Sequence, residues 1–291
     1  MRFLFVVLTG WLALFGSPVL AQLADAPSPL TLTLPAEKDS VKFIAIGDTG
    51  TGTRQQHELA KVMTDYRAIF PYDFVILLGD NMYGSEKPND FKTKFEDVYR
   101  PLLDQGVKFY ASLGNHDESS QRSYDLFNMN GEEYYRFKKG DVAFYALYSG
   151  YLEKRQIEWM QTELGKDSSR WKIAFFHHPP YSSGGAHGSS SGVRKIVEPL
   201  FIQHGVNAVF NGHEHFYERI KPQNGIPYFI SGAGGKLRDG NVKDNSPLTA
   251  KAFDTDLSFM LLEITKDVMH FQVISRTRQT VDSGTVVRGG K

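Results

Sequence analysis

The chain has 291 residues, 41% hydrophobic and 13% aromatic, enough to bury a large core in one or two domains. Thirty-three basic residues balance 33 acidic ones and no Lys/Arg cluster stands out, so nucleic acid is not expected as a dedicated partner. There is no cysteine, which excludes a disulfide framework, a disulfide-linked oligomer, a thiolate metal site and a cysteine nucleophile.

Residues 1–21 have the make-up of a signal peptide. Arg2 is a short positive n-region, residues 3–15 form the apolar stretch, and Val19-Leu20-Ala21 offers a small-residue cleavage site before Gln22. A membrane anchor is the alternative, but the run falls short of the ~20 apolar residues a spanning helix needs. Gly16-Ser17-Pro18 also interrupts it. The expectation is an exported protein, periplasmic in a bacterium or secreted, with no membrane attachment after signal removal. Residues 22–40, rich in Pro, Ala and Thr, read as a linker or peripheral edge segment. One domain is expected over residues 41–286, followed by a tail at 287–291.

From Val41 onward strand and helix patterns alternate. Residues 41–46 read as a strand, and residues 55–66 as a helix with Leu59, Val62, Met63 and Tyr66 on one face. A strand at 74–78 follows, then a helix at 90–99 that stops before Pro101, and a strand at 107–112. Residues 134–138 and 142–148 alternate around Lys139-Gly140-Asp141, a β-hairpin pattern. Helices at 154–165 and 193–204 flank a strand at 171–176, and another strand occupies 206–211. The last third reads as mostly β, with strands at 228–231, 258–264, 270–275 and 280–286 and a long loop at 232–256. This order predicts two packed mixed sheets flanked by helices, a four-layer α/β/β/α sandwich.

Five of these strands end abruptly in residues that ligate metals. They run into Gly47-Asp48, Gly79-Asp80, Gly114-Asn115-His116-Asp117, His177-His178 and Asn211-Gly212-His213-Glu214-His215. Buried strands ending in Asp, Asn or His set those side chains along one sheet edge, where oxygen and imidazole ligands suit a pair of metal ions. A Gly-Asp alone is most often a turn; the ordered set is what carries the reading.

The order Gly47-Asp48-Thr49-Gly50, Gly79-Asp80-Asn81-Met82-Tyr83, Gly114-Asn115-His116-Asp117, His177-His178-Pro179 and Gly212-His213-Glu214-His215 resembles that of the purple acid phosphatases, within the calcineurin-like metallophosphoesterases. Most metallophosphoesterases begin with Asp-x-His; here that third position is Gly50, and Tyr83 stands where the purple acid phosphatases place a compensating tyrosine. A phenolate favours Fe(III) over a divalent ion. The resemblance therefore implies Fe(III) held by Asp48, Asp80, Tyr83 and His215. It implies a second metal, divalent Fe, Zn or Mn, held by Asp80, Asn115, His177 and His213, with Asp80 bridging. His177 rather than His178 is the implied ligand, because the family pattern is His-x-Pro.

By the same resemblance His116 and His187 are outer-sphere histidines, candidates to protonate the leaving group. Glu214 is expected to point away from the ligands and Asp117 to orient its turn, while His57, His204 and His270 belong to packing or surface. The implied activity is acid hydrolysis of small phosphate monoesters by in-line attack of a metal-held hydroxide. A phosphodiesterase or nucleotide-cleaving enzyme on the same site is the alternative, and a non-catalytic metal- or phosphate-binding protein a remote one. Only about 20 residues separate the cleavage site from the first motif strand, so the chain looks like the compact form typified by the mammalian tartrate-resistant enzyme rather than the larger plant enzymes.

Overall fold

A computed structural model describes residues 29–243 and 245–289; the signal-peptide reading of residues 1–21 and the last two residues of the tail lie outside these. Among the described residues the chain begins with β1 (Val41–Ile46), α1 (Arg54–Arg67) and β2 (Phe74–Leu78). A short helix α2 (Pro88–Phe91) continues through a π-helical turn, Lys92–Glu96, into α3 (Asp97–Leu103) and then β3 (Lys108–Ser112). The middle holds β4 (Tyr135–Lys139), β5 (Val142–Ala146), α4 (Lys154–Lys166), β6 (Trp171–Phe175), α5 (Ser191–His204) and β7 (Ala208–Asn211). The remainder is β8 (Tyr217–Gln223), β9 (Ile226–Ser231), β10 (Thr249–Phe253), β11 (Ser258–Ile264), β12 (Val268–Ser275) and β13 (Thr280–Val287).

These strands form two mixed sheets, ordered β13-β12-β11-β1-β2-β3 and β10-β8-β9-β7-β6-β5-β4. β1, β2 and β3 are parallel, as are β5, β6, β7 and β9. Strands β1 and β2 are buried on both faces because each is covered twice. Their inner faces meet the second sheet in an aromatic layer. Phe43 stacks on Phe74 at 5.3 Å and meets Phe144 edge-on at 5.1 Å, and Phe210 lies 6.3 Å from Phe43. Each such ring contributes roughly 1.5–3 kcal/mol by burial.

Helices close the outer faces. Thr53 caps α1 by accepting the Gln56 N–H, and Leu59, Val62, Met63 and Tyr66 turn inward as the periodicity predicts. On the other side Met160 and Leu164 of α4 and Val193 and Val197 of α5 pack with Ala143, Tyr145 and Ala174 of the second sheet. The four-layer sandwich is therefore the observed architecture. Residues 30–36 run beside the first sheet outside any strand. They are tied by the Thr33 N–H to Gln272 Oε1 at 2.9 Å and by the Ala36 N–H to buried Glu263 at 2.7 Å.

Three local expectations are corrected. The helix expected at 90–99 begins at Pro88 and runs past Pro101, which lies inside α3. The π turn widens the helix just before the proline, and burial of Tyr99 and Leu102 holds the last turn in place. β8 was not expected; it forms a hairpin with β9 across Asn224-Gly225, both at positive φ (51° and 80°), as a two-residue Asn-Gly turn requires. The loop 232–256 contains β10, which pairs antiparallel with β8.

Candidate metal centre

The parallel strands β1, β2, β3, β6 and β7 deliver their carboxyl ends to one rim, the usual binding edge of such sheets. At that rim the chain turns sharply. Asp48, Asp80 and His213 all adopt left-handed backbone conformations, with φ of 57°, 51° and 72°. Such conformations cost energy in residues other than glycine and concentrate where function requires them.

Two ligand groups result. The potential ligand atoms of Asp48, Asp80 and His215 lie within 4.8 Å of one another, and so do those of His177, His178 and His213. Tyr83 joins the first group: its hydroxyl donates to Asp48 Oδ1 at 3.0 Å and lies 3.2 Å from His215 Nε2. Asn115 joins the second, with Oδ1 3.0 Å from His177 Nε2. Asp80 Oδ1 is 3.3 Å from His177 Nε2, so this carboxylate reaches from one group to the other. All seven ligand positions read from the sequence thus converge. The His116 ring lies 5.0 Å from that of Tyr83, and its backbone N–H donates to Asp80 Oδ1 at 3.0 Å. The His187 ring lies 4.2 Å from that of His213.

The donor set fits cations. His177 Nδ1 faces the Leu78 carbonyl at 3.0 Å, an acceptor, so the ring proton belongs on Nδ1. Nε2 then turns a lone pair toward Asn115 Oδ1 and Asp80 Oδ1, two further acceptors at 3.0 and 3.3 Å. His213 Nδ1, 3.0 Å from the same Nε2, can offer it a proton, but neither oxygen can, and a cation among these atoms would gather all the lone pairs.

Charge tells the same story. Burial, and then the charge of Asp80, pushes the Asp48 carboxyl well above its ordinary range, against the His213 N–H that donates to it at 2.8 Å. Burial holds His177 far below the usual imidazole range, His213 at about 2 and His215 at about 4. The imidazoles are therefore neutral, the form that ligates metal. Burial and the carboxylates Asp48 and Asp80 push the Tyr83 phenol upward, so its proton leaves only if a strong positive charge arrives.

Gly50 explains why a tyrosine is needed. A Cβ at this position would lie 2.0 Å from the Asn81 carbonyl oxygen, and the Gly50 carbonyl accepts the Tyr83 N–H at 2.9 Å. The backbone that carries Tyr83 fills the space a side chain at position 50 would use. Asp117 orients this turn as expected, accepting the backbone N–H groups of Gly114, Asn81 and Met82 at 2.8, 3.1 and 3.0 Å.

Three more side chains border the site, and of these only His178 is named from the sequence, as a non-ligand beside His177. His178 shares the second ligand group and places Nδ1 3.0 Å from Ser149 Oγ. Lys236 sets Nζ 3.6 Å from the Tyr83 ring centre, and Arg238 donates its backbone N–H to the His215 carbonyl at 3.0 Å. The only sequence cue to these cations is their place just after Ser231-Gly232-Ala233-Gly234-Gly235, the glycine-rich run that leaves β9.

Residues 41–217 match the model of the calcineurin-like phosphoesterases. The chain belongs to that family. It is similar to the tartrate-resistant acid phosphatase type 5 of Rattus norvegicus, 26% identical over 267 residues that cover 77% of this chain and 80% of that one. It is also similar to purple acid phosphatase 17 of Arabidopsis thaliana, 27% identical over 248 residues covering 72% of each. Among solved structures, the purple acid phosphatase PPD1 of yellow lupin (Lupinus luteus) superposes with a TM-score of 0.71 at 18% identity, over 88% of this chain and 55% of that one. GAP50, described as the anchor in the inner membrane complex of Plasmodium, gives 0.72 at 20% identity over 87% and 90%. At these identities the structural likeness speaks for the fold.

Proposed function

We propose that the protein is an exported, two-metal acid phosphatase that hydrolyses small phosphate monoesters. The observation that carries this reading is Tyr83, which stands with Asp48 and His215 beside a position that Gly50 closes to any side chain. Asp48, Asp80, Tyr83 and His215 would hold Fe(III), and Asp80, Asn115, His177 and His213 a divalent Fe, Zn or Mn. When bound, such a pair supplies Lewis acidity and a nucleophilic water at moderate pH.

The chain's own residues do the rest. Asp80 is oriented by the His116 N–H and keeps an edge toward each ligand group. The Leu78 carbonyl fixes the His177 ring so that Nε2 faces inward. The His116 and His187 rings are exposed and lie against Tyr83 and His213, where a ring N–H can reach a leaving alkoxide. Lys236 adds positive charge at the mouth for an anionic ester.

The test compares hydrolysis of 4-nitrophenyl phosphate and bis(4-nitrophenyl) phosphate across pH. The proposal expects faster turnover of the monoester and an acidic optimum. Faster diester turnover would make the protein a phosphodiesterase on the same ligands. No turnover of either by protein carrying two metals would refute an enzymatic role.

A further inference from the structure

Glu214 stands between the candidate ligands His213 and His215, is fully buried, and points away from both ligand groups. One carboxylate oxygen accepts the Gly188 N–H at 2.6 Å. The other accepts from Asn241 Nδ2 at 3.1 Å and lies 3.7 Å from Arg238 Nη1. These donors come from two different loops of the rim. One, residues 182–189, carries His187; the other, residues 236–243, carries Lys236 and Arg238.

The two loops are also joined to each other. The Gly185 N–H donates to the Asn241 carbonyl at 2.8 Å and the Lys243 N–H to the Ser183 carbonyl at 3.2 Å, around a β-bridge between Gly184 and Val242. Buried Glu218 repeats the arrangement below, accepting the Ser183 N–H at 3.0 Å and the Thr249 hydroxyl at 2.5 Å. A Cβ at Gly184 would lie 2.1 Å from Glu214 Oε1, so the loop sits directly on the carboxylate. The sequence Ser182-Ser183-Gly184-Gly185-Ala186-His187-Gly188-Ser189 has little stiffness of its own.

We infer that Glu214 is a positioning residue, a buried clasp that fixes His187 over the site and locks its loop to the one bearing Arg238. The segment that presents His213 and His215 thereby also sets where the proton donor stands. The catalytic part of this inference rests on the phosphatase reading; the ordering of the loop does not. A carboxylate is suited to the task because both oxygens only accept, whereas a carboxamide offers one accepting oxygen and brings an NH2 toward donors.

The experiment measures Glu214→Gln, His187→Asn and the double variant for kcat and KM on 4-nitrophenyl phosphate and for metal per chain. It also follows amide hydrogen exchange over residues 182–190. Glu214→Asp, which keeps the charge but is one methylene shorter, is the second variant should Glu214→Gln not fold. The expected result is faster exchange at 182–190, unchanged metal content, and kcat lower by about 10- to 100-fold with KM within about threefold. In the His187→Asn background, Glu214→Gln costs nothing further in kcat. Unchanged exchange, loss of metal, or an equal kcat loss in both backgrounds would overturn the inference. Should the wild type hydrolyse no phosphate ester, the phosphatase reading fails by itself and exchange at 182–190 decides the clasp alone.

Discussion

Lys236 seats its ammonium on the face of the Tyr83 ring, 3.6 Å from the ring centre, while its backbone N–H donates to the Asp48 carbonyl at 3.2 Å. A cation on an aromatic face is attracted by the ring's electrons, and more so by those of a phenolate. Positive charge there lowers the energy of the phenolate electrons, so moving one to a ferric ion costs more. With Fe(III) on Tyr83 as proposed, Lys236→Met is therefore expected to shift the visible charge-transfer band to longer wavelength, and Lys236→Arg to leave it nearly in place. An unmoved band in Lys236→Met would show that the ammonium does not act on the ligand.

Gly50 predicts an overpacking penalty. The Cβ of Gly50→Ala would stand 2.0 Å from the Asn81 carbonyl oxygen, and that atom is backbone, unable to swing aside. The turn bearing Tyr83 must shift, at a cost of about 3 kcal/mol or more. Urea unfolding of metal-loaded protein measures this, and a loss below about 1 kcal/mol would contradict the tight nesting.

The imidazoles predict an acid-labile metal-free state. His215 is held at about 4, by burial first and then by the charges of Arg238 and Lys236. In the unfolded chain it titrates near ~6.5. Between those values the unfolded chain binds a proton that the folded one refuses, so stability falls as pH drops from about 6.5 toward 4. His213, at about 2, acts in the same direction. Asp117, raised to about 7 by burial and then by Asp80, acts oppositely, because its folded carboxyl keeps a proton that the unfolded one has lost. His215→Asn isolates one imidazole: in chelator, its stability loss between pH 6.5 and 4.5 should be smaller than that of wild type by on the order of 2 kcal/mol. Equal losses would place His215 outside the buried cluster.

Asp80 predicts an asymmetry in metal loss. It spans both groups, whereas Asp48 lies in one. On the proposed assignment, Asp80→Asn should lower the content of both metals, and Asp48→Asn mainly that of the proposed iron, as elemental analysis would show. Chelation of wild type should lower its Tm, because a ligand at 1,000 times its Kd adds about 4 kcal/mol to stability. Equal and single-metal losses in the two variants would remove the bridging role.

The candidate site is legible in the sequence because each ligand follows a short apolar strand, and five such junctions survive small errors in boundaries. Val41–Ile46 and Phe74–Leu78 are buried on both faces, so their limits stand out against the polar turns that follow. β8 is harder to read: Tyr217–Gln223 starts directly after the ligand segment, without a turn signal, and includes charged residues and Pro222. Its Asn224-Gly225 turn was the available cue. The turn of Glu214 away from the ligands was legible, but its partners and the places of Lys236 and Arg238 were not, since they depend on loops that meet only in three dimensions. The burial of Glu214 between His213 and the buried His215 is a product of that meeting.

The most direct test of the account is the visible absorption spectrum of the purified protein, recorded beside that of Tyr83→Phe. The account predicts a purple charge-transfer band in the wild type that the variant lacks, with two metals per wild-type chain. A colourless, iron-free wild type that still hydrolyses phosphate esters would contradict the assignment of Tyr83 to Fe(III).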